Sequence, residues 1–178
     1  MKKKICLLIG AAALIIVIAI SVIAFLKHKG FLLPGYVTWQ ERTLSSDGFD
    51  IIISKKHLKV YKNSNLVWES DLSVKVQDVI LTDVDRNGMT EMTVLCWKKG
   101  RFGRSKPFFE EDDTSVYSEH IYLYDLFDEK PSPKWMASDI GAIVLSIESS
   151  NGYILVTHEK GGGTSEWQRN GWGFTKVK

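Results

Sequence analysis

Residues 79–97 read VILTDVDRNGMTEMTVLCW, and the reading of this stretch decides the fold. An apolar run enters the turn Asp83-Val84-Asp85-Arg86-Asn87-Gly88, and a second apolar run leaves it. That is the pattern of a β-hairpin, since Asn and Gly tolerate the positive φ that tight turns demand. The turn is also loaded with oxygen. Counting Asp83 as position 1, side-chain oxygens fall at positions 1, 3, 5 and 9, which are Asp83, Asp85, Asn87 and Glu91. Met89, at position 7, can offer its backbone carbonyl. Alternate residues of a tight loop converge on one point, and a hard cation such as calcium takes six to eight oxygens. The helical calcium loop is excluded, because its position 12 requires a bidentate Glu and here holds Val94. The competing reading is a turn whose Asp and Asn side chains satisfy their own backbone.

Working outward, the chain from residue 36 onward consists of short apolar runs separated by turn residues. Candidate strands are 37–43, 49–54, 57–62, 66–69, 78–83, 89–97, 119–126, 134–137, 142–148, 153–158, 165–169 and 172–177. Val, Ile, Tyr and Trp concentrate in them, as half-buried pleated surfaces prefer. No stretch beyond residue 35 keeps a helical period over three turns. Asn-Gly recurs at Asn87-Gly88, Asn151-Gly152 and Asn170-Gly171, each time between apolar runs. The soluble part is therefore expected to be all-β and antiparallel.

An internal repeat sharpens this. Leu58-Lys59-Val60-Tyr61 and Leu66-Val67-Trp68-Glu69-Ser70 resemble Ile121-Tyr122-Leu123-Tyr124 and Lys134-Trp135-Met136-Ala137-Ser138. In each copy an apolar strand, an Asn-Gly turn and another apolar strand follow. Repetition on this scale suggests about three stacked four-stranded β units, propeller-like, with a β-sandwich as the alternative. A single-chain ring needs 4–8 blades. An incomplete propeller, closure by self-association or a partner, and a sandwich of similar units all stay open. Between the repeats, residues 98–118 form an insertion that is basic first, then Phe108-Phe109, then acidic from Glu110 to Asp113. It reads as a solvated loop or a contact surface.

The strand, DxDxNGxxE turn and strand resemble the FG-GAP or VCBS-type repeat of integrin-α-like β-propellers. The closing Trp167-Gln168-Arg169-Asn170-Gly171-Trp172-Gly173-Phe174 is similar to the terminal strand pair of some bacterial, membrane-anchored members. The resemblance is close over residues 78–97 and loose over 50–174. It implies a structural Ca2+ held by Asp83, Asp85, Asn87, Met89 and Glu91. The partner turn, Glu148-Ser149-Ser150-Asn151-Gly152, departs from that pattern and implies no ion.

The N-terminus is a different material. Lys2, Lys3 and Lys4 precede the uncharged residues 5–26, and Lys27, His28 and Lys29 follow. As a helix, that run reaches about 33 Å, enough to cross a hydrocarbon core and longer than the apolar segment of a cleaved signal. Residues 1–29 are expected to be a retained single-pass anchor in the cell membrane and 30–35 a linker. Residues 36–178 then form an extracytoplasmic domain, with the N-terminus cytoplasmic by the positive-inside bias.

The net charge of +2, spread among acidic residues, argues against a nucleic-acid partner. Of the two cysteines, Cys6 lies at the start of the apolar run and Cys96 in a candidate strand far beyond it, so a run that spans a bilayer keeps them apart and no disulfide is implied. The four histidines lack metal spacing, and the Gly161-Gly162-Gly163 run lacks the lysine and helix of a phosphate loop. No serine sits in a nucleophile elbow. Trp68, Trp97, Trp135 and Trp172 fall inside or at the ends of candidate strands and are expected to fill core or inter-blade space, with Trp39 and Trp167 partly exposed. The expectation is a non-enzymatic module that binds a protein or glycan at the cell surface. The alternative is an accessory module of a cell-envelope polysaccharide or peptidoglycan hydrolase.

Overall fold

The computed structural model describes residues 2–103, 105–110, 112–171 and 173–178, with side chains from residue 9 onward. Trp172 and Glu111, both named above, lie outside the described residues. Among the described residues, a single helix, α1 (Lys2–His28), is followed by twelve strands in three four-stranded antiparallel sheets. Sheet 1 runs β1 (Arg42–Ser46), β2 (Phe49–Ser54), β3 (His57–Lys62), β4 (Asn65–Glu69). Sheet 2 runs β5 (Lys75–Thr82), β6 (Glu91–Lys99), β7 (Tyr117–Asp125), β8 (Ser132–Met136). Sheet 3 runs β9 (Val144–Ser150), β10 (Ile154–Glu159), β11 (Thr164–Asn170), β12 (Gly173–Lys176). Within each sheet, every strand pairs with its sequence neighbours.

Twelve strands were expected, and eleven fall where the sequence places them. The exception is the first. Residues 37–41 are irregular and β1 begins only at Arg42. The reason is a competing bond: Gln40 N donates to Gln77 O, on the first strand of the next sheet. The apolar residues of 37–41 serve that junction.

Sheet 2 lies in the middle, with sheet 1 on one face and sheet 3 on the other. Met92, Val94 and Cys96 point from β6 toward sheet 1, into a core with Phe49, Ile51, Ile53, Leu58 and Val60. Leu95, one residue out of phase, points the other way and joins Ile121, Ile147 and Leu155. A strand buried on both faces reads as a continuous apolar run, which is why MTVLCW lacks the alternation of a half-exposed strand. The two outer faces are polar, with Thr43, Ser45, Asp50 and Lys59 exposed on sheet 1 and Glu148 on sheet 3. Stacks of repeats need such polar terminal faces for solubility.

The sequence repeat is offset from the sheets by two strands. Its first copy comprises β3 and β4 of sheet 1 with β5 and β6 of sheet 2, and its second comprises β7 to β10. Equivalent tryptophans fill equivalent gaps. Trp68 meets Tyr124 edge-on at 5.1 Å between sheets 1 and 2, and Trp135 meets Phe174 at 5.3 Å between sheets 2 and 3.

Successive turns alternate between two ends of the stack. The end nearer α1 carries the β2–β3, β6–β7 and β10–β11 turns and both connections between sheets. The far end carries the rest, including the acidic turn. Inter-sheet contacts fix this common polarity: Val76 N to Lys56 O (2.9 Å) at the end nearer α1, and Asp83 N to Gly152 O (3.2 Å) at the far end. The linker from α1 joins the first of these, where Tyr117 N donates to Gly30 O at 2.8 Å.

All three Asn-Gly pairs sit in hairpin turns, between β5 and β6, β9 and β10, and β11 and β12. Asn151 and Gly152 both have positive φ (54° and 78°), the signature of a type I′ turn. Asn63 and Ser64 adopt the same conformation between β3 and β4, at 51° and 66°, without a glycine. Ser64→Gly is therefore expected to raise stability by about 1 kcal/mol, by removing left-handed strain from an exposed turn residue. A denaturant midpoint unchanged or lowered by that substitution would show the turn to be different.

Candidate functional site

The β5–β6 hairpin closes on the Thr82–Glu91 pair, leaving residues 83–90 as the turn. Asp83, Asp85 and Glu91 each bring one carboxylate oxygen within 4.8 Å of the others, a group that could hold a metal ion. The oxygens also have partners within the chain. Both oxygens of Asp83 accept backbone N–H groups, from Asn87 (3.0 Å) and Gly88 (2.9 Å). Asp85 Oδ1 accepts Asn87 N at 3.3 Å, and Asn87 Oδ1 accepts Met89 N at 2.8 Å. Glu91 Oε2 accepts Val84 N at 2.9 Å. These are the local Asx contacts of a turn that satisfies its own backbone. Of the five residues singled out from sequence, the three carboxylates Asp83, Asp85 and Glu91 share the cluster, and Asn87 and Met89 lie exposed in the same turn.

Two further residues complete the site. Lys134 Nζ lies 2.6 Å from Asp85 Oδ2, 2.8 Å from Glu91 Oε1 and 2.7 Å from Asp125 Oδ1. Its ammonium thus stands among three carboxylates contributed by the turn, by β6 and by the end of β7. Lys134 comes from edge strand β8, held one residue after Pro133, which an edge strand admits because no ladder bond is needed there. Glu91 is fully buried and Lys134 is 17% exposed. Burial pushes the Glu91 carboxyl up, against the lowering effect of Lys134. Burial also opposes the charge on Asp85, but Lys134 and Asn87 N outweigh it and hold that carboxyl down. Hydrogen bonds to Asp125, Asp85 and Glu91 overcome burial and push the lysine up. The lysine, its charged form favoured, thus faces Asp85, Glu91 and Asp125 at once.

This arrangement tests the fit of a calcium ion. The donors are hard oxygens, as calcium prefers, but an ammonium lies against two of the three carboxylates, Asp85 and Glu91, and all six oxygens of Asp83, Asp85 and Glu91 already accept a bond. A calcium ion would have to displace Lys134 to reach its six to eight ligands. In the repeat register Lys134 stands where the first copy has Val67, since Trp135 and Trp68 pair with the equivalent Leu123 and Val60. A cation within reach of an acidic turn belongs to its chemistry.

A second site lies between sheets 2 and 3 near the end of the stack that faces α1. A cleft of 260 Å³ is walled by Trp135, Trp167, Phe174, Ile121, Ile140 and Leu155. Exposed Ser138 and Asp139 stand at its rim, and Trp167 Nε1 donates to Thr157 Oγ1 at 3.0 Å. Trp167 is half-buried in the wall of this cleft, a more defined place than an exposed shelf.

Other ionisable groups are sealed. Glu119 is 3% exposed; its Oε2 accepts Val144 N at 2.8 Å, while Oε1 has no partner. Burial, with a contribution from Asp139, pushes its carboxyl up to about 8. A raised carboxyl resembles a general acid, but substrate does not reach one enclosed in this way. His120 is fully buried between Ser118 Oγ (2.9 Å) and Ala137 O (3.0 Å), and burial lowers its basicity. Cys96 is likewise buried, and burial pushes its thiol up, away from the reactive thiolate. Comparison with protein-family models, with curated proteins and with solved structures found no match.

Proposed function

We propose that this chain is a membrane-anchored, non-enzymatic binding module. Its three propeller-like β units present the cleft between sheets 2 and 3 to an apolar side chain of a protein ligand. The cleft carries the reading: a concave apolar pocket with a few polar groups at its rim is the usual form of a recognition site. Its walls are aromatic and aliphatic, which favours a protein segment over a glycan, since sugars require more polar partners than Ser138, Asp139 and Thr157 supply. The anchor is α1, within which residues 9–28 are long and apolar enough to cross a bilayer. By the positive-inside bias the N-terminus is cytoplasmic and the β domain lies outside. Resemblance to FG-GAP repeats supports the same reading of the sheets as repeated units.

The hydrolase-accessory alternative needs carboxylates gathered from separate loops. Asp85, Glu91 and Asp125 are so gathered, but Lys134 pairs with all three, which disfavours any of them as a free base. The structural cation that the resemblance assigns to calcium is, in our reading, Lys134.

Tryptophan fluorescence of the full chain in nanodiscs tests the cleft. N-acetylphenylalanine amide and N-acetylleucine amide are expected to bind, and Ala142→Phe, which fills the cleft, to weaken binding at least tenfold. Binding of N-acetylglucosamine oligosaccharides in their place would transfer the site to a glycan. Turnover of those oligosaccharides would overturn the non-enzymatic reading.

A further inference from the structure

We propose that the β6–β7 loop is a second membrane contact, in which Phe108 and Phe109 insert into the interfacial region of the bilayer that α1 spans. The proposal rests on the reading of α1 as a membrane helix. Outside α1, the three most exposed large apolar side chains among the described residues are Phe108 (99%), Leu72 (74%) and Phe109 (70%). Water is a poor solvent for such groups. All three lie at the anchor end of the stack, Leu72 in the β4–β5 connection and the two phenylalanines in the β6–β7 loop. The base of that loop touches the linker two residues beyond α1, where Tyr117 N donates to Gly30 O at 2.8 Å, and Gly100 N closes the base by donating to Val116 O at 3.0 Å. A Cβ at Gly30 would lie 3.3 Å from Val116, so linker and loop base are packed together.

This geometry names the occupant. A loop fixed within one hydrogen bond of the residue that leaves the membrane helix meets the lipid headgroups before any other surface. Aromatic rings settle at that depth, where the ring leaves water and the backbone stays hydrated. The loop is also held in shape. Arg101 pairs with Glu110 at 3.3 Å, and Asp113 Oδ1 accepts Arg101 N at 2.8 Å, which leaves the Phe108–Phe109 pair projecting. Two contacts, helix and loop, then fix the tilt of the domain and turn the acidic hairpin at the far end away from the bilayer.

The test uses the full chain with Cys6→Ser, reconstituted in phosphatidylcholine vesicles containing doxyl-labelled lipid. Cys96 is buried and takes no label. A nitrobenzoxadiazole probe at Ser105→Cys, beside the phenylalanines, is expected to be quenched several-fold more than one at Asp128→Cys on the far end. Adding Phe108→Ser and Phe109→Ser should abolish the difference while the far-ultraviolet dichroism stays unchanged. A chain that survives alkaline extraction of the vesicles but shows equal quenching at both sites overturns the loop contact and leaves the anchor standing. A chain that is extracted overturns the anchor reading and this proposal with it.

Discussion

Lys134→Met is expected to lower the unfolding free energy of the full chain by about 3 kcal/mol, the range found when one partner of a buried ion pair is removed. Methionine keeps the aliphatic stem, so the loss comes from charge. Asp85, Glu91 and Asp125 would then face one another without the ammonium that now lies within 2.8 Å of each. The pH dependence supplies a signature that simple misfolding does not. In the natural protein, the Asp85 carboxyl is held below its ordinary value, so its stabilisation is present at neutral pH and lost as pH falls through the carboxylate range. In the variant, crowded and unpaired carboxylates have raised values, so stability should rise as pH falls toward 5. Chemical denaturation at a series of pH values checks both signs. A variant within 0.5 kcal/mol of the parent, on the order of a surface substitution, would mean the cluster is not held by its lysine.

The second large effect concerns Glu119. Its carboxyl is pushed up to about 8 in the folded chain, against 4.5 for an ordinary glutamic acid. Between those two values the unfolded chain gives up its proton while the folded chain keeps it. The unfolded state therefore binds fewer protons, and stability falls with rising pH by about 1.4 kcal/mol per unit at most. Below 4.5 both states are protonated and the contribution is complete. Glu119→Gln copies the neutral carboxyl and keeps the bond from Val144 N, so its stability should exceed that of the parent above pH 7 and match it near pH 4.5. Parallel stability curves for parent and variant between pH 5 and 8 would place Glu119 in a wetter setting than its 3% exposure indicates.

Much of the architecture was legible because it rests on local chemistry. Asn-Gly pairs turn hairpins whatever surrounds them, and the repeat placed Trp68 and Trp135 in equivalent gaps before any packing was known. Turns at Lys55-Lys56 and Asn63-Ser64 were harder, since nothing in those residue types demands positive φ; the strands on either side impose it. The first strand was misplaced because an apolar segment can serve a junction as well as a sheet. At the acidic turn, the sequence showed the oxygens and not their partner. Lys134 is 43 residues from Glu91, and only the return of β8 alongside β7 brings it there. The cleft was less legible still, for it is made by three aromatic side chains on strands β8, β11 and β12, drawn from two sheets.

Calorimetric titration of calcium into the parent chain and Lys134→Met, both in nanodiscs at neutral pH, tests the central claim that an internal lysine holds the acidic hairpin. No site-specific heat is expected in the parent at 1 mM calcium, on the order of extracellular levels for weak modules, and one-to-one uptake is expected in the variant. Stoichiometric binding by the parent, lost in Asp83→Ala/Asp85→Ala, would contradict it and return the turn to calcium.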